Sequence, residues 1–294
     1  MHTAIVQTNP IFGEVKKNVR EALLLMETTK ADLYILPELF NTGYNFIDEA
    51  EVKTFAEPAD GLTFRTMNEW AKKNSCYIVY GFAEKADKIL ASLKTQKISA
   101  NFANSLRALR LYSSKIMFFE MPIYNSAALV GPDGMVGLYR KVHLFDRENL
   151  FFTPGNLGFP VFDLPFGKVG MMICFDWIYP ESARSLALKG AQLIAHPANL
   201  VLPFCPDAMV TRCLENKVFA ATADRVGEEN RGGVNLKFIG TSGIVAPNGS
   251  ILCRLGTNEA SIAVAEIDLS LANNKKINLH NNLFEGRRTD QYSL

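Results

Sequence analysis

The chain has 294 residues, of which 48% are hydrophobic and 21% are charged. This size is near the upper limit for one hydrophobic core, and this composition excludes a mainly disordered chain. The 31 basic and 30 acidic side chains give a net charge of +1, so the total charge gives no support for binding to nucleic acid or to an anionic membrane.

The N-terminus and the cysteines indicate the compartment. The first residues show no charged segment followed by an apolar one, as a signal peptide would, and no apolar run reaches the roughly 20 residues needed to span a bilayer. The five cysteines are odd in number and no two have C-x-x-C spacing, which argues against a disulfide framework or a zinc ribbon. We therefore expect a cytoplasmic protein without a membrane partner, in which at least one thiol has a chemical role.

Short apolar runs rich in Val, Ile and Tyr predict nine strands. They are residues 3–7, 32–36, 77–82, 126–130, 169–175, 192–196, 218–223, 242–246 and 261–267. Segments with helical periodicity lie between some of them, at residues 14–29, 62–73 and 180–189. Turn sequences at 131–134 and 247–249 predict hairpins. The combination of βα units and hairpins indicates an α/β fold with a mixed sheet or two packed sheets.

Residues 88–119 differ in composition from the rest of the chain. They contain no Gly, no Pro and no acidic side chain, and their basic residues give +6, so the rest of the chain carries −5. Apolar residues at helical spacing predict a pair of helices inserted in a hairpin, with a mobile arm as the alternative. We interpret the segment as an amphipathic flap packed on its own domain or on a second subunit. A basic surface for an anionic partner is the other interpretation.

Cys174 ends an apolar run and precedes a predicted helix. In open α/β sheets, ligands and catalytic groups collect at the carboxyl ends of strands, and a strand-to-helix turn can hold a nucleophile exposed. Taken alone, however, a cysteine in this position is more often a buried small apolar residue.

Two charged residues have similar positions. Glu38 follows the predicted strand 32–36, where a carboxylate is either an ordinary exposed residue or cap, or a partly buried base with a raised pKa. Lys141 follows Arg140 in an alternating run, so one of the two points away from solvent if the strand is half buried. A buried lysine needs a carboxylate partner, such as Glu38 or Glu148, whereas two exposed basic residues on an edge strand need none.

The four histidines give no support for a metal site. No H-E-x-x-H motif occurs, and no cysteine lies near a histidine at ligand spacing, so we expect no metal. No Walker or G-x-G-x-x-G pattern indicates a nucleotide, and we expect no cofactor. A thiol enzyme with a Cys–His pair, using His143 or His196, stays open as an alternative.

The three weak signals become one strong signal in combination. P-E-L-F at 37–40, Y-R-K-V-H-L at 139–144 and M-I-C-F-D-W at 172–177 occur in that order, each beside a predicted strand. With these motifs the sequence resembles the nitrilase superfamily of carbon–nitrogen hydrolases over nearly the whole chain.

The resemblance is closest to the branch that contains archaeal aliphatic nitrilases and related amidases. It rests there on N-T-G-Y-N-F at 41–46 and H-P-A-N at 196–199. The sequence departs from the family's usual pattern in the segment 88–119, which interrupts a hairpin, and in Asp224, where many members have Asn.

The resemblance implies a four-layer α-β-β-α sandwich of the nitrilase type. A single catalytic domain would cover residues 1–272. The chain would pair into a homodimer or a larger homo-oligomer, with the C-terminal tail 273–294 at a subunit interface.

The resemblance also implies the site residues. The family's Glu–Lys–Cys triad falls on Glu38, Lys141 and Cys174, as base, as stabiliser of the tetrahedral species and as nucleophile. The family's second glutamate falls on Glu148, which would orient Lys141 and the substrate. Residues that follow or flank these motifs are candidates for binding the substrate: Tyr44, Phe175, Trp177 and Asn199.

A small neutral amide or nitrile is the expected substrate, because no Arg or Asp is evidently dedicated to a charged one. Amide hydrolysis is favoured, since many nitrilases have Trp directly after the nucleophile, where this chain has Phe175. An aliphatic nitrilase and an N-carbamoyl amine amidohydrolase are alternatives with the same triad. A non-catalytic binding or assembly module, acting through residues 88–119, is a rival of a different class.

Overall fold

Two six-stranded sheets pack face to face in the computed structural model, which describes residues 1–86 and 121–293. The segment predicted at 88–119 lies outside the described residues. The strands of the described ranges are His2–Gln7 (β1), Leu33–Ile35 (β2), Tyr77–Lys85 (β3), Ile123–Gly131 (β4), Gly134–Arg140 (β5), Val161–Leu164 (β6), Gly167–Met171 (β7), Leu193–Pro197 (β8), Phe219–Ala223 (β9), Glu228–Arg231 (β10), Val234–Lys237 (β11), Gly243–Val245 (β12), Ile251–Arg254 (β13) and Ser261–Glu266 (β14).

The two sheets have related topologies. The first has the strand order β14-β1-β2-β3-β4-β5 and the second β13-β12-β9-β8-β7-β6, and β10 pairs with β11 as a separate hairpin. β1, β2 and β3 are parallel to one another, as are β7, β8 and β9, and antiparallel strands extend each sheet on both sides. Side chains alternate along the strands, so Ile5 and Ile35 enter the core between the sheets, whereas Val6 and Tyr34 face the outer helices.

Six α-helices lie within residues 1–86 and 121–293. They are Val15–Glu27 (α1), Glu49–Phe55 (α2), Leu62–Asn74 (α3), Glu148–Phe151 (α4), Pro180–Leu188 (α5) and Cys205–Asn216 (α6). α1 and α3 pack on the first sheet through Met26 and Trp70, and α5 and α6 pack on the second through Leu186 and Met209. The predicted four-layer α-β-β-α sandwich is confirmed. No helix in the described ranges has the length and apolar character needed to cross a membrane.

Each of the nine predicted strands overlaps an observed one, and both predicted hairpins are present, as β4–β5 and β12–β13. The strand predicted at 169–175 is too long, because β7 ends at Met171 and Cys174–Ile178 form a 3-10 turn. Cys174 has a φ of 41°, a left-handed conformation that cannot continue a strand. The sequence therefore places the nucleophile candidate correctly after an apolar run but does not predict the turn.

Several elements are not predicted from the sequence, namely α2, α4, α6, β6 and the hairpin β10–β11. The buried stripe of α6 includes Cys205, Met209 and Cys213, whose small or flexible side chains give a weak helical signal. β10 and β11 pair with each other and are not part of either large sheet. Their sequences are mostly polar, so they lack the apolar run by which the other strands were predicted.

The C-terminal residues pack on their own chain. Lys275 Nζ donates hydrogen bonds to the carbonyl oxygens of Asn216 and Lys217, at 3.1 and 2.8 Å, where the negative end of the α6 dipole favours a cation. The Phe284 ring centre lies 4.9 Å from the same ammonium. The place of the tail at a subunit interface stays a prediction.

Candidate active site

Strand ends bring the four predicted polar residues to one place. Glu38 lies three residues after β2, Lys141 directly follows β5, Cys174 lies three residues after β7, and Glu148 is the first residue of α4. Lys141 Nζ lies 2.7 Å from Glu38 Oε1 and 2.7 Å from Glu148 Oε1. The side chains of Glu38 and Lys141 have no exposed surface. The sequence left open whether Glu38 and Lys141 are exposed or buried, and in the structure both are buried.

Two glycines allow backbone segments to approach the site closely. A Cβ at Gly81, on β3, would lie 2.5 Å from Glu38 Cα. A Cβ at Gly155 would overlap the carbonyl oxygen of Arg140, and the Gly155 N–H donates to the Lys141 carbonyl oxygen at 2.8 Å. Only residues without a side chain fit at these two positions, so Y-G-F at 80–82 and T-P-G at 153–155 position the backbones of Glu38 and Lys141.

Glu38 is held from two directions. Asn125 Nδ2 donates to Glu38 Oε1 at 2.6 Å, and Asn199 Nδ2 donates to the Glu38 carbonyl oxygen at 2.8 Å. Glu38 Oε2 has no hydrogen-bond partner among the described residues. Burial raises the pKa of Glu38 to about 7, although the nearby Lys141 charge opposes this rise. A carboxylate with a pKa near neutrality can both accept and donate a proton.

Lys141 keeps its charge because two carboxylates surround it. Burial lowers the pKa of Lys141, but the charges of Glu148 and Glu38 raise it by more, so the net effect is a raised pKa. Tyr44 Oη donates to Glu148 Oε1 at 2.6 Å, the same oxygen that contacts Lys141 Nζ. Burial, together with the Glu148 and Glu38 charges, raises the pKa of Tyr44 well above its ordinary value. The hydroxyl therefore stays protonated and, together with Lys141, fixes Oε1 of Glu148.

Cys174 begins the 3-10 turn and is 5% exposed. Its Sγ lies 3.7 Å from the carbonyl oxygen of Asn199. Burial raises the pKa of the Cys174 thiol well above its ordinary value, and the Glu38 charge raises it further, while Lys141 acts in the opposite direction. The resting thiol is therefore protonated, and attack by sulfur requires a base that removes this proton.

Asp176 is a central residue of the site to which sequence reasoning gave no role. Its Oδ2 accepts hydrogen bonds from the Tyr139 hydroxyl at 2.6 Å and from the Ile173 N–H at 2.8 Å. Its Oδ1 accepts from the His143 N–H at 3.2 Å and lies 2.7 Å from His143 Nδ1. Asp176 thus ties the turn that contains Cys174 to the end of β5. The signal was present in the sequence, because Asp176 belongs to the motif around Cys174.

Asn125 is a second residue to which sequence reasoning gave no role. It lies on β4 and bonds Glu38 directly. An amide in the middle of an apolar strand gives no indication of its partner, so the sequence alone did not point to this contact.

The candidates for substrate binding have different surroundings. Tyr44 and Asn199 contact the polar site directly, through Glu148 and Glu38. Phe175 is half-buried, with its ring centre 5.0 Å from that of Phe145. Trp177 belongs to the apolar core of the second sheet and is 7% exposed. Their roles toward a substrate stay predictions.

The alternative Cys–His pair finds no support among these contacts. His143 Nδ1 contacts Asp176 Oδ1, and both ring nitrogens of His196 contact oxygen atoms, one on Cys174 and one on Thr222. In the described ranges, no group of three or more His, Cys, Asp and Glu side chains could hold a metal ion.

Comparison with known proteins identifies the family. The family model for carbon–nitrogen hydrolases matches residues 2–276. The chain belongs to the carbon–nitrogen hydrolase family. The resemblance predicted from the three motifs is confirmed, and the chain is a carbon–nitrogen hydrolase of the nitrilase superfamily.

Relatives of this carbon–nitrogen hydrolase include enzymes named for nitriles and for amides. A nitrilase of Pyrococcus abyssi is 48% identical over 293 residues, which cover 98% of each chain. A carbon–nitrogen hydrolase from Helicobacter pylori G27 has the same fold, with a TM-score of 0.80 at 23% identity, over 99% of this chain and 97% of that one. A mutant amidase from Nesterenkonia sp. AN1 has a TM-score of 0.72 at 21% identity, over 99% and 94% of the two chains, and it shows covalent addition of the acetamide moiety of fluoroacetamide at the active-site cysteine.

The substitution Asp224→Asn tests a buried carboxyl group next to this site. Asp224 Oδ1 accepts from the Leu200 N–H at 2.8 Å, and Oδ2 has no partner in the described part of the chain. Burial raises the pKa of Asp224 well above its ordinary value, although Arg225 opposes this. Wild-type stability is therefore lost as the pH rises from the unfolded pKa towards the folded one. We expect Asp224→Asn to raise the free energy of unfolding by about 1–3 kcal/mol at pH 8 and by less at pH 5.

Urea unfolding at the two pH values measures this difference. The control is Asp163→Asn, at a carboxylate whose side chain is 79% exposed, which we expect to change stability by less than about 0.5 kcal/mol at either pH. Equal effects of Asp224→Asn at pH 5 and pH 8 would contradict a neutral buried carboxyl.

Proposed function

We propose that the protein hydrolyses a small amide to a carboxylate and ammonia through a thioester on Cys174. Glu38 is the base and Lys141 stabilises the tetrahedral species. The observation that carries this proposal is the buried Lys141 ammonium between two carboxylates, beside a buried protonated thiol. Such a charge arrangement has a high desolvation cost, which a stability role alone does not explain.

The first half of the reaction forms the thioester. Glu38 takes the proton of the Cys174 thiol as Sγ bonds to the amide carbon, and the carbonyl oxygen becomes an oxyanion that the Lys141 ammonium stabilises. The C–N bond then breaks, and the proton on Glu38 passes to the leaving nitrogen, which departs as ammonia. The unpartnered Glu38 Oε2 is the atom available for this transfer.

The second half of the reaction regenerates the thiol. Glu38 takes a proton from water as the water oxygen bonds to the thioester carbon, and Lys141 again stabilises the oxyanion. The C–S bond breaks, the acid is released, and the proton on Glu38 returns to sulfur. A pKa of about 7 suits Glu38 to both directions of proton transfer.

Neighbouring residues complete the proposed site. Glu148, fixed by the Tyr44 hydroxyl, orients Lys141 and the substrate. The backbone N–H of Phe175 assists the oxyanion, and Tyr44, Phe175, Trp177 and Asn199 surround the substrate. We also retain the cytoplasmic location and the homo-oligomeric state as proposals.

Nitrile hydrolysis is the second candidate function. The observation in its favour is the 48% identity over nearly the whole chain to a protein named nitrilase. A nitrile would form a thioimidate on Cys174, then lose ammonia after addition of water and give the same thioester. The triad chemistry is therefore common to both substrate classes, and the shape of the pocket decides between them.

A panel of small aliphatic amides, the matching nitriles and N-carbamoyl amines, scored by ammonia release, tests the proposal. We expect release from at least one amide at a higher kcat/KM than from the nitrile of the same carbon skeleton. The Cys174→Ala variant supplies the blank. Higher kcat/KM values for nitriles would select the second candidate, and turnover of carbamoyl amines alone would contradict both.

A further inference from the structure

The backbone of Cys174 has a conformation that a side chain normally avoids. Its φ of 41° lies in the left-handed region, where the Cβ of an L-residue crowds the following carbonyl oxygen. A non-glycine residue persists there only where the surrounding structure determines it. The groups that hold the Cys174 peptide in place therefore also determine the direction of its side chain.

His196 contacts this backbone directly. It lies on β8, next to β7, and its side chain is fully buried. Its Nε2 is 3.0 Å from the carbonyl oxygen of Cys174, and its Nδ1 is 3.0 Å from Oγ1 of Thr222 on β9. The imidazole thus links the turn after β7 to the two strands that follow it in the sheet.

These contacts determine the tautomer of the ring. A carbonyl oxygen only accepts hydrogen bonds, so Nε2 carries the hydrogen and donates it to Cys174. In the neutral ring Nδ1 is then an acceptor, and the Thr222 hydroxyl donates to it. Burial lowers the pKa of His196 to about 4, and the nearby Lys141 charge also lowers it. The hydrogen bond to Cys174 and the charge of Asp176 raise this pKa, but by less. The ring is neutral at pH 7, and both nitrogens are occupied, so it is not a base for the thiol.

We propose that His196 is a positioning residue that holds Cys174 in its left-handed conformation by donating the Nε2 hydrogen to the Cys174 carbonyl. The hydrogen bond fixes the turn, and the turn directs Sγ towards Glu38 and the substrate carbon. The relevance to turnover rests on the proposed function of Cys174, but the effect on the direction of the thiol does not.

The experiment compares His196→Gln, His196→Asn and His196→Leu with His280→Gln, at an exposed histidine, as the control. Gln places an N–H donor at the same number of bonds from Cβ as His Nε2, so it can reach the Cys174 carbonyl. Asn places its amide nitrogen at the level of Nδ1, so it can reach Thr222 but not Cys174. Leu keeps the volume and supplies no donor.

The primary measurement is the rate at which iodoacetamide alkylates Cys174, followed by peptide mass spectrometry, which needs no substrate. We expect His196→Leu and His196→Asn to slow alkylation about tenfold, the equivalent of one hydrogen bond, and His196→Gln to keep the rate within about threefold of wild type. With an amide or nitrile from the panel, kcat falls in the same order, KM changes less than about twofold, and the pH profile keeps its shape.

Different outcomes separate this proposal from the proposed function. Unchanged alkylation in the Leu variant would overturn the positioning role, as would equal effects of Gln and Leu, or a pH limb lost with His196. If the Leu variant does not fold, the comparison of Gln with Asn decides in the same way. Full hydrolysis by Cys174→Ala would instead overturn the proposed function and leave the alkylation result valid.

Discussion

We expect Cys174→Ala to reduce hydrolysis at least about 10⁴-fold, because the variant lacks the atom that forms the covalent intermediate. The side chain is small, and its one hydrogen-bonding contact among the described residues is a 3.7 Å approach to the Asn199 carbonyl oxygen. We therefore expect the free energy of unfolding to change by no more than about 1 kcal/mol. Ammonia release from the best amide or nitrile of the panel, together with urea unfolding, measures both effects.

Cys253→Ala is the matched control for this result. Cys253 is more exposed than Cys174 and lies on β13, on the edge of the second sheet. Its removal should leave hydrolysis within about twofold of wild type. Full activity in Cys174→Ala, or a large loss in Cys253→Ala, would assign the chemistry to another residue.

Lys141→Met is expected to reduce both activity and stability. Met fills a similar volume but leaves Glu38 and Glu148 buried without their shared cation. Removing one partner from a buried ion pair costs about 3–5 kcal/mol of unfolding free energy. Loss of the ammonium that stabilises the oxyanion should lower kcat at least about 10²–10³-fold. Steady-state kinetics and urea unfolding measure the two losses separately.

The stability loss in Lys141→Met should depend on pH. The pKa of Glu38 is about 7 in the folded protein, above its value of 4.5 when unperturbed, and Lys141 lowers it. Without Lys141 this pKa rises further, so the folded variant binds more protons than the unfolded chain does. Its stability is then lost as the pH rises through neutrality, and the deficit is greater at pH 8 than at pH 5.

Lys168→Met is the control for Lys141→Met. Lys168 also contacts a carboxylate, Asp163 at 3.1 Å, but its side chain is 48% exposed and that of Asp163 79% exposed. Solvent screens such a pair, so we expect a change below about 1 kcal/mol at both pH values. A Lys141→Met variant as stable and active as Lys168→Met would show that the buried ammonium has no function.

Local sequence signals predicted much of the fold because they have a local physical cause. The turn at 131–134 contains the glycines that close β4 onto β5, and its two ends pair in the observed register. The stripe at 14–29 became α1, with Val19 and Met26 buried. α6 was missed, because its buried face relies on two cysteines that give no periodic signal by themselves.

The sequence named the candidate site residues and offered a raised pKa of Glu38 as one of two alternatives. The three motifs and the family resemblance predicted Glu38, Lys141, Cys174 and Glu148 as site residues. Whether Glu38 and Lys141 were exposed or buried could not be decided from the sequence. Their burial depends on how the first sheet, which contains β2 and β5, packs on the second sheet, which contains β7. The raised pKa of Glu38 follows from that burial and has no local sequence signal.

Residue type and short-range order were enough to predict the fold class, the family and the candidate acid–base, cationic and thiol groups. Three contacts follow only from the packed fold: the Lys141 ammonium lies between two carboxylates, Asp176 joins the Cys174 turn to β5, and His196 donates to the Cys174 carbonyl. The partners in these contacts are distant in the chain, so they meet only after the sheets have packed. Hydrogen bonds, desolvation and pKa values are properties of that packing.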